Sequence, residues 1–77
     1  MIGQYAVSLS GRDKGRVFLI VGAPEENYVL CCDGKLRKLE KPKRKKLKHI
    51  KLLAIDSVKI PENNKKLYEQ IKQISQS

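Results

Sequence analysis

The apolar residues of this chain come in short runs separated by glycine-containing polar segments, and this spacing restricts the possible folds more than any other feature. Three runs lie at residues 4–9, 16–21 and 28–32, and they are rich in β-branched and aromatic residues. Runs of this length, bounded by turn-forming residues, are typical of strands and too short for helices. The sequence therefore predicts a small sheet of short strands.

The segments between these runs predict turns. Residues 10–15 are polar and contain two glycines, and residues 22–27 combine glycine, proline, glutamate and asparagine, so we expect both to be loops. Asp33-Gly34 follows the third run directly and precedes residues 35–39. An Asp-Gly pair in this position predicts a hairpin with a type I′ turn, because that turn needs positive φ at both central residues.

The C-terminal third of the chain predicts one more strand and then a helix. Apolar residues between positions 47 and 55 indicate a fifth strand. Three further apolar residues recur at i, i+4 and i+7 and form a single stripe: Leu67, Ile71 and Ile74. We therefore expect a helix over residues 62–75, with Pro61 in its first turn and Asn63 or Asn64 as its cap. The stripe is expected to pack against the sheet, and docking to a partner is the alternative.

Five short strands followed by a helix predict a mainly β fold, in the form of a small SH3-like five-stranded barrel with a C-terminal α-helix. Closing the sheet into a barrel removes its exposed edges. On this interpretation residues 1–56 form the barrel and include the basic segment 35–51, while residues 57–77 form the helix, packed on or beside the barrel.

The net charge of +9 is concentrated in one segment. Residues 35–51 contain ten basic residues and one acidic residue, whereas the rest of the chain contains seven of each. Self-repulsion in such a segment destabilises the fold, and a polyanion offsets it while releasing condensed counterions. Nucleic acid, an anionic membrane surface and an acidic protein are the candidate partners. A membrane is the least suitable of the three, because residues 41–46 contain a proline and no apolar residue.

Size and composition argue against catalysis. A chain of 77 residues forms one domain and has little room for the deep cleft that most enzymes use. The adjacent Cys31 and Cys32, with His49 as the single histidine, fall short of the four ligands of a structural zinc site. We therefore expect a non-catalytic protein without a metal, a cofactor or a small-molecule substrate. Reduced cysteines, no secretory signal and no membrane-spanning run predict a cytoplasmic location.

Residues 7–21 resemble a KOW motif, in which a Gly-x-Asp-Lys-Gly-like loop joins two strands. The wider likeness covers about residues 2–53 and includes Tyr28-Val29-Leu30, Cys32-Asp33-Gly34, Arg37 and residues 47–52. Over this range the chain resembles the fourteen-e family of large-subunit ribosomal proteins and, more closely, the short bacterial KOW-domain RNA-binding proteins related to it. Many KOW motifs have another glycine where this chain has Phe18, and its absence favours the ribosomal branch over the transcription-elongation branch.

This resemblance implies an SH3-like barrel that binds structured RNA, usually ribosomal RNA, in translation or ribosome assembly. It implies that the loop from Gly11 to Arg16 lies against the RNA backbone, where Arg12, Lys14 and Arg16 supply charge and the glycines allow close approach. We expect the protein to be a monomer. The predicted RNA-binding residues are this loop and the basic segment after it: Gly11, Arg12, Lys14, Gly15, Arg16, Lys35, Arg37, Lys38, Lys41, Lys43, Arg44, Lys45, Lys46, Lys48 and His49.

Other interpretations remain open from the sequence. The basic run could be a solvated face, or a loop at residues 41–46 that is disordered without RNA, and His49 could be a partly exposed strand residue. The chain could also be an SH3-like interaction module for an acidic protein partner, or a transcription-associated KOW factor. The four aromatic residues lie mostly in core-like strands, which favours recognition of the RNA backbone over reading of bases.

Overall fold

The structure is a computed structural model that describes residues 1–76. Five strands, a short 3₁₀ turn and a helix follow one another: β1 (Tyr5–Ser8), β2 (Val17–Glu25), β3 (Tyr28–Cys32), β4 (Lys43–Lys46), the 3₁₀ turn (Leu47–His49), β5 (Ile50–Leu52) and α1 (Asn64–Gln76). The first three strands coincide with the three predicted apolar runs, although β2 extends further. β4 lies inside the basic segment, at a position where no strand was expected.

All five strands form one antiparallel sheet in the order β4-β3-β2-β1-β5. The first four strands run up and down in sequence, and β5 returns to pair with β1. The prediction of a mainly β fold with one C-terminal helix is therefore confirmed. The sheet is open, because β4 and β5 are its two edges and do not pair with each other.

β2 is longer than expected, and the prediction of a loop at residues 22–27 is wrong. The strand continues to Glu25, and only Glu26 and Asn27 connect it to β3. Register shifts on both sides of Gly22 absorb the residues that would interrupt a regular ladder. Asn27 has a φ of 69°, a left-handed conformation that asparagine adopts more readily than most residues.

The prediction of an Asp-Gly hairpin is also wrong, because residues 33–42 form a connection without strand structure. Gly34 has a φ of 84°, but Asp33 is not at positive φ, so the turn is not type I′. Instead, Asp33 Oδ1 accepts hydrogen bonds from the backbone N–H groups of Lys35 at 3.0 Å and Arg37 at 2.9 Å. These local bonds compete with the cross-strand ladder that a hairpin needs.

The sheet buries apolar side chains on both of its faces. One face carries a cluster drawn from β1, β2, β3 and β5, which we call the inner cluster: Ala6, Phe18, Ile20, Val29, Cys31 and Ile50. The opposite face carries a cluster completed by α1, which we call the helix cluster: Tyr5, Leu19, Cys32, Leu67 and Ile71. Neighbours in a strand alternate between the two clusters, as the pleat requires. The sheet is thus packed on both sides, and its basic residues lie on the two edge strands, β4 and β5.

α1 covers the second face through the apolar stripe that the sequence predicts. Leu67 is fully buried and Ile71 is nearly so. At the edge of this contact the Tyr5 hydroxyl donates a hydrogen bond to Gln70 Oε1 at 2.9 Å. Val58, in the connection between β5 and α1, packs against the same cluster. The helix therefore completes the core of the domain.

The N-terminus of α1 lies two residues later than expected. Asn63 Oδ1 accepts a hydrogen bond from the backbone N–H of Lys66 at 2.9 Å, so Asn63 is the cap. Pro61 consequently precedes the helix and is not part of its first turn. Asn64 makes a different contact: its Oδ1 accepts a hydrogen bond from the backbone N–H of Leu39 at 2.8 Å. This bond joins the β3–β4 connection to the start of α1.

Candidate functional site

The loop between β1 and β2 is a tight, glycine-dependent turn. The backbone N–H of Gly15 donates to the Ser8 carbonyl at 2.8 Å, and the N–H of Ser8 donates to the Arg16 carbonyl at 2.9 Å. Gly11 and Gly15 have φ values of 83° and 88°, which residues with a Cβ rarely adopt. The loop leaves the side chains of Arg12, Lys14 and Arg16 exposed.

Asp13 is the one residue of this loop that turns inward. Its Oδ1 accepts hydrogen bonds from the Ser8 hydroxyl at 2.8 Å and from Lys45 Nζ at 2.9 Å. Lys43 Nζ lies 3.9 Å from the other carboxylate oxygen. Because Lys43 and Lys45 belong to β4, these contacts attach the loop to the far edge of the sheet.

The structure assigns Lys45 a different position from the other predicted RNA contacts. Its side chain is 8% exposed, and its ammonium group donates to Ser8 Oγ at 3.1 Å as well as to Asp13. The ammonium also lies 5.7 Å from the centroid of the Phe18 ring. With its charge paired and buried, Lys45 is unavailable to a phosphate, and its prediction as a contact is corrected to a structural role.

The alternation of β4 explains this difference. Lys45 pairs with Val29 in the ladder and faces the inner cluster, and Lys43 lies on the same face, two residues before it. Arg44 and Lys46 point the other way and are exposed. Residues 43–46 are therefore a strand with two distinct faces, and only residues 41 and 42 of the segment 41–46 lie outside it.

The environment of Asp13 acts on its ionisation in two directions. Burial by itself would raise the pKa of this carboxyl group. The hydrogen bonds from Lys45 and Ser8, together with the charges of Lys45 and Lys43, outweigh burial and lower the pKa below its ordinary value of 3.8. Asp13 is consequently a stable anion at neutral pH and offsets the charge of Lys45.

A groove of about 470 Å³ lies between the β1–β2 loop and the β3–β4 connection, and we call it the arginine groove. Its lining combines four cationic side chains with one carboxylate and two apolar residues: Arg12, Arg16, Arg37, Lys43, Asp13, Phe18 and Leu36. Lys45 and Lys43 both lie within ion-pair distance of this carboxylate, so Arg12, Arg16 and Arg37 are the cations of the groove that have no ion pair among the described residues. The groove unites the two predicted segments, which are separated in the chain by residues 17–34.

A second group of predicted residues lies apart from this groove. The Arg44 guanidinium stacks 3.9 Å from the centroid of the Tyr28 ring and pairs with Glu25. Beside it, Lys46 and Lys48 line a shallow depression of about 340 Å³, together with Asn27, Tyr28 and Leu47. Half of the Arg44 side chain is exposed, but the contact with Glu25 reduces its free charge.

The remaining predicted residues line neither the arginine groove nor this depression. Lys14, Lys38 and Lys41 are exposed in loops. Lys35 extends towards α1, where its ammonium lies 5.2 Å from the centroid of the Tyr68 ring. His49 is half-buried and belongs to the 3₁₀ turn, so its interpretation as a strand residue is wrong.

Two residues of the arginine groove were not expected from the sequence. Phe18 and Leu36 line the groove with apolar side chains, and Leu36 is 58% exposed although it is a large apolar residue. The available signal for Leu36 was its place between two basic residues, at positions 35 and 37, but the run 35–39 was interpreted as a strand. Ser8 was likewise missed, because a lone serine at the end of a strand carries no charge signal.

Within residues 1–76 there is no group of three or more His, Cys, Asp or Glu residues that could hold a metal ion. Cys31 and Cys32 are free and buried. Burial raises the pKa of Cys31 to about 11, although the charge of Lys45 lowers it, and burial together with neighbouring negative charges raises the pKa of Cys32 to about 12. Both thiols are therefore protonated at neutral pH and poor nucleophiles. Among the helices of the same residues, none is long and apolar enough to cross a membrane.

Comparison with known proteins does not assign this chain to a family. No protein-family model matches it, and no curated protein matches it. The resemblance to KOW-domain proteins consequently stays a prediction, and the function must be inferred from the groove and its charges.

Proposed function

We propose that this chain is a non-catalytic RNA-binding protein that contacts the phosphate backbone of structured RNA, with ribosomal RNA as the expected target in translation or ribosome assembly. The observation that carries the proposal is the arginine groove, where Arg12 and Arg16 of one loop meet Arg37 and Lys43 of another segment. Sequence separation and spatial convergence of like charges point to a shared anionic ligand, because such an arrangement is unfavourable without one.

The chemistry of the groove suits phosphates. Three of its four cations are arginines, whose planar guanidinium groups bind phosphate oxygens through paired N–H donors. The single carboxylate, Asp13, already accepts hydrogen bonds from Lys45 and Ser8, so it does not oppose an incoming anion with a free negative charge. The apolar surface of Leu36 offers a contact for a ribose or a base edge at one side.

The aromatic residues favour backbone recognition over base stacking. Tyr5 and Phe18 are buried in the two clusters. The rings of Tyr28 and Tyr68 are each contacted by cationic side chains within the protein. An open aromatic platform of the kind used by readers of single strands is therefore absent from the described residues 1–75. Shape and phosphate position, and not base sequence, would determine affinity.

An SH3-like barrel of the KOW type is the finer fold that we propose. The inner cluster gathers residues from β1, β2, β3 and β5, which indicates that the sheet curls around it. The Lys45 side chain reaches from the β4 edge to Ser8 on β1 and so bridges the side that lacks backbone pairing. A 3₁₀ turn of three residues, Leu47–His49, carries the chain directly from one edge strand to the other.

The test is a binding titration of a labelled RNA stem-loop at several salt concentrations. Arg12→Ala, Arg16→Ala and Arg37→Ala combined are expected to weaken binding and to reduce the slope of log K against log salt by about 2 to 3. The control combines Lys59→Ala, Lys65→Ala and Lys66→Ala, which removes the same charge from exposed residues outside the groove. Equal effects of the two triple variants, or binding that salt does not weaken, would reject the proposal.

A pull-down from lysate with and without ribonuclease separates this proposal from its competitors. Ribosomal RNA that is recovered with the wild-type protein and lost with the groove variant supports the proposed target. A protein partner that survives nuclease treatment would instead favour an SH3-like interaction module for an acidic protein. Recovery of transcription complexes would favour a transcription-associated KOW factor.

A further inference from the structure

A second cationic groove lies between the β1–β2 loop and α1, and its helix side lies outside the region that resembles KOW proteins. It has a volume of about 310 Å³, and we call it the helix groove. The loop side contributes Gly15, Arg16 and Val17, and the helix side contributes Tyr68, Ile71, Lys72 and Ser75. Nothing in the packing of α1 on the sheet requires a cation at Lys72, because that side chain is exposed.

Arg16 lines both grooves. The arginine groove and the helix groove are therefore neighbouring parts of one surface, with Arg16 at their boundary. A small ligand with a single phosphate would occupy only one of the two grooves. A polynucleotide chain is long enough to pass from the arginine groove into the helix groove.

Tyr68, which lines the helix groove, is contacted by two cations: Lys72, which also lines the groove, and Lys35, which lies beside it. Lys35 Nζ lies 5.2 Å and Lys72 Nζ lies 5.7 Å from the centroid of its ring. Lys35 comes from the β3–β4 connection, which also supplies Arg37 to the arginine groove. Contact with the ring restrains two flexible ammonium groups that would otherwise be free in solvent.

Among residues 1–75, Asp33 is the one acidic residue that lines the helix groove. Its side chain is buried, at 5% exposure for the residue, and its Oδ1 already accepts hydrogen bonds from the backbone N–H groups of Lys35 and Arg37. Its negative charge is thus directed at the backbone, while the charges of Arg16, Lys35 and Lys72 stay close to the surface.

We propose that α1 is part of the RNA interface, and that Lys35 and Lys72 bind phosphates of the same RNA strand after it leaves the arginine groove past Arg16. This inference rests on the proposed RNA-binding function. It gives the C-terminal helix a binding role in addition to its role in the core, and it extends the interface beyond both predicted basic segments. The proposed occupant is the phosphodiester backbone, because both the lysine ammonium groups and the Arg16 guanidinium group bind phosphate oxygens.

A pair of matched variants on one helix tests the inference. Lys72→Ala removes a charge from the helix groove, whereas Lys65→Ala removes the same charge from an exposed position of α1 that does not line it. With the labelled stem-loop, Lys72→Ala is expected to weaken binding several-fold and to reduce the salt slope by about 0.7 to 0.9. The Lys35→Ala and Lys72→Ala double variant should reduce it by about twice as much. Lys65→Ala should leave it unchanged.

A measurement on the wild-type protein adds an independent readout. Lysine acetylation followed by mass spectrometry should find Lys35 and Lys72 protected by RNA and Lys65 equally reactive with and without it. If Lys72→Ala behaves like Lys65→Ala and Lys72 is not protected, while the arginine variant still binds more weakly, the helix groove is rejected and the proposed function stands. If the wild-type protein does not bind RNA, both are rejected.

Discussion

Lys45 and Asp13 form the contact on which the arrangement of the arginine groove depends. Their ion pair joins β4 to the β1–β2 loop at 2.9 Å, with Ser8 as a shared hydrogen-bond partner. Both side chains are largely removed from solvent, at 8% and 14% exposure. A pair in such an environment is costly to break from one side, because the remaining charge is left buried without a partner.

We therefore expect Lys45→Ala to destabilise the fold by about 3 kcal/mol. Lys46→Ala, one residue later on the exposed face of β4, should change the free energy of unfolding by less than about 0.5 kcal/mol. Urea denaturation of both variants measures the difference. If the two variants have the same midpoint, the buried ion pair does not contribute to stability.

The lowered pKa of Asp13 predicts a dependence of stability on pH. In the unfolded chain this carboxyl group takes up a proton at a higher pH than in the folded protein, so the unfolded state binds more protons as the pH falls. The contribution of Asp13 is therefore complete above its ordinary value of 3.8 and is lost as the pH falls through the lower folded value.

Asp13→Asn should be less stable than the wild-type protein at neutral pH and should show a smaller loss of stability on acidification. Unfolding measured between about pH 6 and about pH 3 gives both slopes. An Asp13→Asn variant whose stability falls with acid as steeply as that of the wild-type protein would show that other groups cause the acid sensitivity.

At the scale of elements, β4 shows where sequence patterns stop being informative. Its four residues are all basic, so no apolar alternation distinguishes its inward face from its outward face. Only pairing with β3 reveals that Lys43 and Lys45 point inward while Arg44 and Lys46 point outward. The composition predicted the basic surface well, but it could not separate the buried lysine from the exposed ones.

Elements with a clear apolar pattern were predicted much better. β3 has the predicted bounds, and the stripe of Leu67 and Ile71 lies in the core as expected. The Asp-Gly signal failed because the Asp33 carboxylate binds backbone N–H groups further along the chain, and such a competing interaction cannot be read from the dipeptide itself. The resemblance implied that Arg16 and Arg37 share one surface, but their position in one groove depends on that longer connection, which the hairpin prediction did not include.

The cap of α1 gives a prediction for the helix. Asn63→Ala removes the hydrogen bond from Asn63 Oδ1 to the N–H of Lys66 and is expected to cost about 1 kcal/mol. Lys65→Ala is the control, since alanine and lysine are both good helix formers and Lys65 is exposed. Thermal unfolding followed by circular dichroism compares them, and equal midpoints would show that another group caps the helix.

At the scale of the whole molecule, the sheet needs α1 to cover its second face. Leu19 and Cys32 are fully buried there, and both contribute to the cluster that Leu67 and Ile71 complete. A domain of this size buries too little apolar surface to lose such a contact without consequence. The predicted division into residues 1–56 and residues 57–77 is therefore a division of the sequence and not of the core, because both parts contribute to the helix cluster.

A truncated chain of residues 1–57 is expected to lose cooperative unfolding and to bind hydrophobic dyes, because the helix cluster would be exposed. The full chain with Leu67→Ala is a milder version and should be destabilised by about 2 to 5 kcal/mol while keeping its fold. Dispersed amide signals in the NMR spectrum of the truncated chain would contradict this expectation and would show that the sheet folds alone.

The position of β4 at the edge of the sheet has a consequence for how copies of this protein meet. An edge strand offers unpaired backbone groups to any other strand, and proteins commonly block such pairing with charged side chains. Every residue of β4 is basic, and the opposing edges of two copies would bring together the exposed Arg44 and Lys46 side chains of each copy. We therefore expect β4 to oppose strand pairing between copies of the protein, in addition to its proposed place beside the RNA-binding surface.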